Sequence, residues 1–412
     1  MTSLTRNPAE FRAIMGAVNA IWPMTPLTTS KQLQHAGHFD LAVVGTGIVG
    51  LATALAAARR GLRVAVIDRD AQANGASVRN FGFITVTGQE RELMWRRARR
   101  SREVWSEVCS AADIPVIHKG LWMLVRRPES VRVLEGFLRT EMAEGCQLMS
   151  AAEARRRCPS LLAPELAAVL ESTLELRVES REAIPRLAAW LAEAHGVTFF
   201  RNTCALEIDV PKVHTSRGTL QATHVAVCAG DDFNGLYAER LASFGLTRCK
   251  LQMLRLASPG FVLPGALMSD LGLGRYGGYS ALEAAGPLKA RLSREQPEHL
   301  RHGIHLIVVQ SSDGSLVVGD SHHYAATPDP FSSEAVDELI LEEFRMALGI
   351  EPPPVLERWT GTYASAPDRS MLLDSPHPNV RLAIVTCGAG ASTGFAIGEE
   401  IVSSLLDSRA PS

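Results

Sequence analysis

Apolar residues run unbroken from Leu41 to Val44, and a second apolar stretch is closed by Asp68. Both read as strands buried on two faces of a sheet, with Leu51–Arg60 as the intervening helix. A long charged pattern over 88–112 predicts a helix, as do 129–144 and 150–157, and Leu121–Arg126 reads as a strand. Val169–Glu179 alternates like a strand pair. Arg181–His195 is a predicted helix, with Glu182 and Pro185 in its first turns and Gly196 past its end. Short strands follow at Val197–Phe200 and Leu206–Val210, then a buried strand from Thr223 to Ala229 that ends at Gly230.

The next block looks antiparallel: strands at 250–257, 303–310 and 315–319, the last two joined by Ser312-Asp313-Gly314. Pro259–Pro297 is rich in Gly and Pro and lacks periodicity, which predicts loops covering a site. Glu334–Leu348 is a predicted helix. Val380–Thr386 is an apolar strand that leads through Cys387-Gly-Ala-Gly-Ala-Ser-Thr-Gly394 into a helix to about Leu406.

Parallel-type elements at both ends and in the middle, with an antiparallel block between, imply a mixed α/β, α+β fold. The expected architecture is a Rossmann-type nucleotide-binding domain (39–125, 169–235, 350–412) and a largely antiparallel substrate domain (126–168, 236–349), the chain crossing between them. Residues 1–38 form an expected N-terminal extension with Pro8, Pro23 and Pro26; 10–22 suits a short amphipathic helix, although a loosely docked segment is preferred. No charged region followed by an apolar one marks it as a secretory signal.

Composition narrows the function classes. The 412 residues, 46% hydrophobic, suffice for two cores. A formal net charge of −2 gives no electrostatic reason to expect nucleic acid. The basic runs Arg96–Arg100 and Arg155–Arg157 are expected to be solvated helix faces. The seven cysteines are scattered and never form C-x-x-C, which suits a reduced cytoplasmic protein without structural zinc. Cys204, Cys228 and Cys387 are expected to be buried thiols. No apolar stretch approaches the ~20 residues of a membrane span.

The chemistry begins at Gly45-Thr46-Gly47-Ile48-Val49-Gly50. The first glycine of G-x-G-x-x-G allows a tight strand-to-helix turn, the second lets a pyrophosphate approach backbone, and the third lets helix and sheet pack closely. Asp68, roughly 20 residues on, is placed to accept hydrogen bonds from a ribose. A nicotinamide dehydrogenase has no reason to return to its cofactor near the end of the chain. Here a second glycine-rich strand-to-helix junction, Gly388–Gly394, does so. Its helix N-terminus suits the pyrimidine edge of a flavin, which gains negative charge on reduction.

Four blocks in order carry a resemblance: Val43–Gly50 with Asp68; Gly75-Ala-Ser77-Val-Arg79-Asn80-Phe81-Gly82; Val225–Gly230; and Trp359-Thr-Gly361 through Pro367-Asp368 to Gly388–Gly394. The chain resembles the D-amino-acid oxidase superfamily of FAD enzymes, near the glycine oxidase and sarcosine oxidase branch. The resemblance implies FAD along Gly45, Gly47, Ile48, Val49, Gly50, Asp68 and Arg69, then Ser77, Arg79, Asn80, Phe81 and Gly82. It places Gly230 near the adenosine, Gly361 beside the flavin, and Gly388, Gly390, Ala391, Ser392 and Thr393 at the pyrimidine end.

Two departures are informative. Sarcosine-oxidase relatives attach FAD through a cysteine in the segment matching Gly361-Thr362-Tyr363, and none stands there, so the flavin is expected to be non-covalent. Relatives that oxidise amino acids place a carboxylate-clamping arginine in the same segment, where this chain has Tyr363. The Arg79–Gly82 block and the tail Gly388–Glu400 further resemble a subfamily associated with aminophosphonate breakdown. That implies a substrate such as 2-aminoethylphosphonate or its N-methyl form. Candidate substrate contacts are Arg275, Tyr276, Arg79, Tyr363 and His302.

The expected chemistry is hydride transfer from the amine-bearing carbon to flavin N5, then hydrolysis of the imine to aldehyde and amine. Only the neutral amine supplies the driving lone pair, so rate should rise with pH. No general base and no metal site is assigned. His302 and His305 are expected on opposite faces of a strand, and His322-His323 at a surface turn. The oxygen-activating lysine of some relatives is matched by Val317, so the acceptor is oxygen, giving peroxide, or another oxidant. Alternatives are a glycine, sarcosine or D-amino-acid oxidase, a tRNA- or partner-binding flavoprotein, and a nicotinamide dehydrogenase.

Overall fold

The uninterrupted apolar runs become the centre of a parallel sheet. In the computed structural model, which describes residues 37–161 and 163–407, β1 (His38–Val44) pairs in parallel with β2 (Val64–Ile67) and β10 (Gly218–Val227). β7 (Thr198–Phe200) and β18 (Val380–Val385) extend it in parallel, β17 (Met371–His377) closes one edge antiparallel, and β8 (Ala205–Asp209) with β9 (Lys212–Thr215) forms a flap on β10. The expected extension, including 10–22, lies outside the described residues apart from its last two positions.

The second sheet has ten strands in the order β15 (His323–Ala325), β11 (Thr247–Leu256), β14 (Leu316–Gly319), β13 (Ile307–Gln310), β12 (Ala266–Ser269), β4 (Val116–Val125), β6 (Ala168–Val178), β3 (Phe83–Ile84). β16 (Val355–Ser365) pairs with β11, and β5 (Cys146–Ser150) with β6. All contacts in this sheet are antiparallel except β4 with β12.

β3, β4, β6 and β16, which fall within the segments expected to form the nucleotide domain, pair in the second sheet; their apolar content suits a core strand of either sheet. Val169–Glu179 is one long strand rather than a pair. The 259–297 segment is not a set of loops. It contributes β12, buried mid-sheet, then helices Leu271–Arg275, Gly277–Ser280 and Ala285–Glu295, with Pro297–Arg301 after them. A four-residue strand buried throughout shows no alternation, and helices of one turn show no 3.6 period.

Helices Ile48–Ala58 and Gly390–Asp407 pack together over the parallel sheet. They approach closely because glycines recur every fourth residue at 390, 394 and 398: a Cβ on Gly398 would lie 2.5 Å from the Ala52 carbonyl carbon, and one on Gly394 3.2 Å from Ile48. The basic run on helix Leu93–Ala111 is not simply solvated. Arg97 and Arg100 clamp Glu400 and Glu399 in bidentate pairs, and Arg157 pairs with Glu171.

The buried carboxylate of Asp270 secures the helix that carries Arg275. It accepts from Arg127 Nη1 at 2.7 Å, Ser130 Oγ at 3.0 Å and the Arg126 amide at 3.2 Å.

Candidate functional site

A cavity of about 780 Å³ runs from the first glycine-rich turn to the second and on to the face of the ten-stranded sheet. At its nucleotide end, Gly45 adopts φ +107°, and a Cβ there would lie 2.4 Å from the Cys228 carbonyl oxygen. A Cβ on Gly50 would meet the Gly45 oxygen at 2.0 Å. Gly50 therefore shapes the turn from beneath; Gly45, Gly47, Ile48 and Val49 line the cavity. Gly47 caps the helix without any side-chain hydrogen bond, which leaves amides at its N-terminus for an anion. The Ile48 amide donates to Ser77 Oγ at 2.9 Å, drawing the second block onto the cradle.

Asp68 lines the cavity beside Arg69. One oxygen accepts from the Thr46 amide (2.7 Å) and hydroxyl (2.5 Å), and the other from the Asp70 amide (2.9 Å). These bonds aim the carboxyl group at the turn, where a ribose would complete its acceptor capacity. Asn80 also lines the cavity, but its carboxamide serves the turn: Oδ1 accepts from the Gly82 amide (2.6 Å) and Ser180 Oγ (2.7 Å), while Nδ2 donates to Ala76. Gly82 does not line the cavity; at φ +63° its missing side chain leaves room for the Val178 carbonyl.

Ser77, Arg79, Phe81, Gly230, Gly361, Gly388, Gly390, Ala391 and Ser392 all line the cavity. Thr393 lies behind it, its hydroxyl donating to Ala389. Ser392 Oγ accepts from the Thr85 amide at 2.9 Å, tying the last helix to the second sheet. Cys387, expected to be buried, opens onto the cavity instead: the strand ends at Val385, two residues before it.

The opposite wall is built by register. β11 places Cys249 directly across from Tyr324 on β15 and Tyr363 on β16. Residues opposite one another on antiparallel strands share a face, so both tyrosines turn toward the cavity. Arg275, at the end of its short helix, lines the cavity and donates to Tyr324 Oη at 3.0 Å. Arg275 has no carboxylate within ion-pair distance among the described residues. Tyr276 and Tyr363 line the same wall, and burial pushes both hydroxyls up, so they remain donors. Arg79 lines the cavity further along, bonded to Asn74 at 3.3 Å.

Three expectations are corrected here. His302 does not line the cavity: it caps helix Pro297–Arg301 and meets His323 at 2.8 Å. His322 is no surface residue, being 7% exposed and part of the cavity wall. Val317 is buried within the sheet and lies off the cavity.

Sequence reasoning missed Asp320 and set His305 aside. The backbone joins them: the Asp320 amide donates to the His305 carbonyl at 3.1 Å, and the His322 amide to His302 at 2.9 Å. These bonds bring His305, Asp320 and His322 together, all buried and all lining the cavity, with ligand-type atoms within 4.8 Å of one another. Burial holds both imidazoles well below their usual value, with the Arg275 charge acting in the same sense. The only sequence signal was a set of polar residues flanking apolar strands.

A glycine cradle with a helix N-terminus, an aspartate at the ribose position and a second glycine junction along one cavity define a flavin-nucleotide oxidoreductase. The chain belongs to the DAO family of FAD dependent oxidoreductases, whose family model matches residues 40–404. FAD is its cofactor. It is 25% identical over 373 residues to the bifunctional protein ThiO/ThiG of Nostoc sp., covering 84% of this chain and 49% of that one. The chain thus spans about half the length of the curated relative it matches. Its fold is similar to glycine oxidase from Bacillus cereus (TM-score 0.70, 16% identity, covering 90% and 96% of the two chains). It is also similar to dithionite-reduced L-alpha-glycerophosphate oxidase from Mycoplasma pneumoniae with FAD bound (TM-score 0.71, 16% identity, covering 90% and 95%). Among the described residues no helix is long and apolar enough to cross a membrane.

Proposed function

We propose that this enzyme oxidises the C–N bond of a small amine that also carries an anionic group, with 2-aminoethylphosphonate or its N-methyl form as the preferred substrate. The products are phosphonoacetaldehyde and the released amine. The observation that carries this reading is Arg275: a guanidinium opening onto the cavity with no carboxylate partner, flanked by hydroxyls of Tyr324, Tyr276 and Tyr363. A phosphonate has three oxygens and up to two charges, which this set of donors suits. Bound FAD supplies the two-electron acceptor for hydride from the amine-bearing carbon, and oxygen or another acceptor completes turnover. The protein's part is to orient the anion at Arg275, hold the amine nitrogen neutral and keep water from the reacting carbon.

The fold of glycine oxidase favours the second reading, a glycine, sarcosine or D-amino-acid oxidase whose substrate carboxylate Arg275 would clamp. Comparing flavin bleaching by phosphonate and carboxylate amines separates the two.

The flavin is held without a covalent bond in this reading. The Gly361–Tyr363 segment has no cysteine, and desolvation within the cavity pushes the Cys387 thiol up, away from its nucleophilic form. Acid precipitation of the purified enzyme is expected to leave the yellow colour in the supernatant; colour retained in the pellet would show a covalent link.

A further inference from the structure

We propose that Asp320 is the proton acceptor of this site, taking the ammonium proton from the bound amine, with His305 and His322 packed beside its carboxyl group. The inference rests on the amine-oxidation reading. An amine yields hydride only when its nitrogen lone pair is free, whereas an alkylamine with a pKa of roughly 10 arrives protonated at neutral pH.

Asp320 is 4% exposed yet lines the cavity. Its Oδ1 has no hydrogen-bond partner, although His305 Nδ1 stands 3.2 Å away. Its Oδ2 lies 3.8 Å from His322 Nε2. His322 Nδ1 sits 2.9 Å from the Gly303 carbonyl. A carbonyl only accepts, so Nδ1 carries the proton and Nε2 turns a lone pair toward the carboxyl. Such a carboxyl is short of donors, and a substrate ammonium would be one. The other charged or titratable groups near it are Arg275 and Tyr276 from the helices and Cys249 from β11. Arg275 already supplies positive charge there, which favours a proton over a metal ion in the cluster. Burial raises the Asp320 carboxyl to about 8 against the opposing pull of Arg275.

In the step proposed, the ammonium N–H bond breaks, an O–H bond forms on Asp320, and the pair stays on nitrogen; no electron moves to another centre. The sign with pH follows. Below about 8 Asp320 already holds a proton, so forming the neutral bound amine must release one to water. Between about 8 and the amine's own value, Asp320 takes that proton and none is released.

The test uses FAD-loaded wild type and Asp320→Asn, mixed anaerobically with N-methyl-2-aminoethylphosphonate, sarcosine and N-methylpropylamine across pH. For the substrate that reduces the flavin, the wild-type rate is expected to climb through about pH 8 and level off. In D320N the climb should move to higher pH, costing roughly tenfold or more near pH 8 and recovering near pH 10. Equal loss at every pH would mean a purely structural role and overturn the proposal. A pH-indicator dye gives a second readout on wild type alone, serving if D320N fails to retain FAD. Read within the flavin-reduction phase, before product leaves and Asp320 returns its proton to water, about one proton released per flavin near pH 7 and none near pH 9 supports the proposal; equal release in that phase at both overturns it. One divalent metal ion retained per flavin in wild type would likewise overturn it. If none of these amines bleaches the wild-type flavin, the amine reading itself fails.

Discussion

Replacing Gly45 by Val is expected to give a folded enzyme that no longer keeps its flavin through purification. The substituted Cβ would sit 2.4 Å from the Cys228 carbonyl oxygen, in a backbone conformation (φ +107°) that a β-branched residue strongly resists. Relief requires β1 and β10 to separate at the mouth of the cradle, where the pyrophosphate must meet backbone amides. A cost of about 3 kcal/mol at this point corresponds to a roughly hundredfold loss of FAD affinity. Reconstitution titrations of apoprotein with FAD measure it directly. Unchanged affinity would remove the first glycine turn from the cofactor site. Far-ultraviolet circular dichroism guards against the trivial outcome, since a collapsed sheet would show there as well.

The second large effect is expected from Arg275→Met, which keeps much of the side chain's bulk and removes its charge. A charge-assisted hydrogen bond to an anion is worth about 2–3 kcal/mol, so KM for an aminophosphonate should rise roughly hundredfold. An uncharged amine of similar length should bind as before, because it never used the guanidinium. The change should fall on KM more than on the limiting rate of flavin reduction, since the anion contact is made equally before and during hydride transfer. Equal losses for charged and uncharged amines would show that Arg275 supports the wall rather than the substrate. Helix Leu271–Arg275 is anchored separately through buried Asp270, so the substitution leaves that anchor intact.

What could be read from the chain divides along physical lines. The nucleotide half was legible because its chemistry is local: a buried strand, glycines at fixed offsets and an acid at the next strand end are all visible in one stretch of sequence. The last helix was legible for the same reason. Its role against Ile48–Ala58 was not, because the four-residue glycine repeat at 390, 394 and 398 acquires meaning only beside Ala52 and Ile48.

The substrate half depends on distant pairings. Arg275 was picked out as a basic residue in a glycine-rich stretch, and Tyr363 as a replacement within a resembled segment. Their convergence with Tyr324 is set by the register of β11 with β15 and β16, which no local pattern announces. His302 and His305 were read together at the start of a strand, on opposite faces. The helix Pro297–Arg301 displaced that start to Ile307, which turned His302 toward His323 and left His305 on the cavity. Asp320 escaped notice because one carboxylate after an apolar strand looks like a turn residue. Its burial is a consequence of packing between His305, His322 and the helix carrying Arg275.

Which sheet a strand joins is hard to read for a related reason. β4, β6 and β16 are apolar enough for either sheet, and each lies next in sequence to a nucleotide-domain element. Partner choice, rather than composition, assigns them to the ten-stranded sheet.

The central claim is that the cavity joins an FAD cradle to a site for an anionic amine. Anaerobic mixing of the purified, FAD-containing enzyme with 2-aminoethylphosphonate, its N-methyl form, glycine, sarcosine and D-alanine tests it most directly, read as loss of the visible band of oxidised flavin. Bleaching by a phosphonate amine, faster than by any of the carboxylate amines, is the predicted result. A flavin that stays oxidised with every amine in the set would contradict the account.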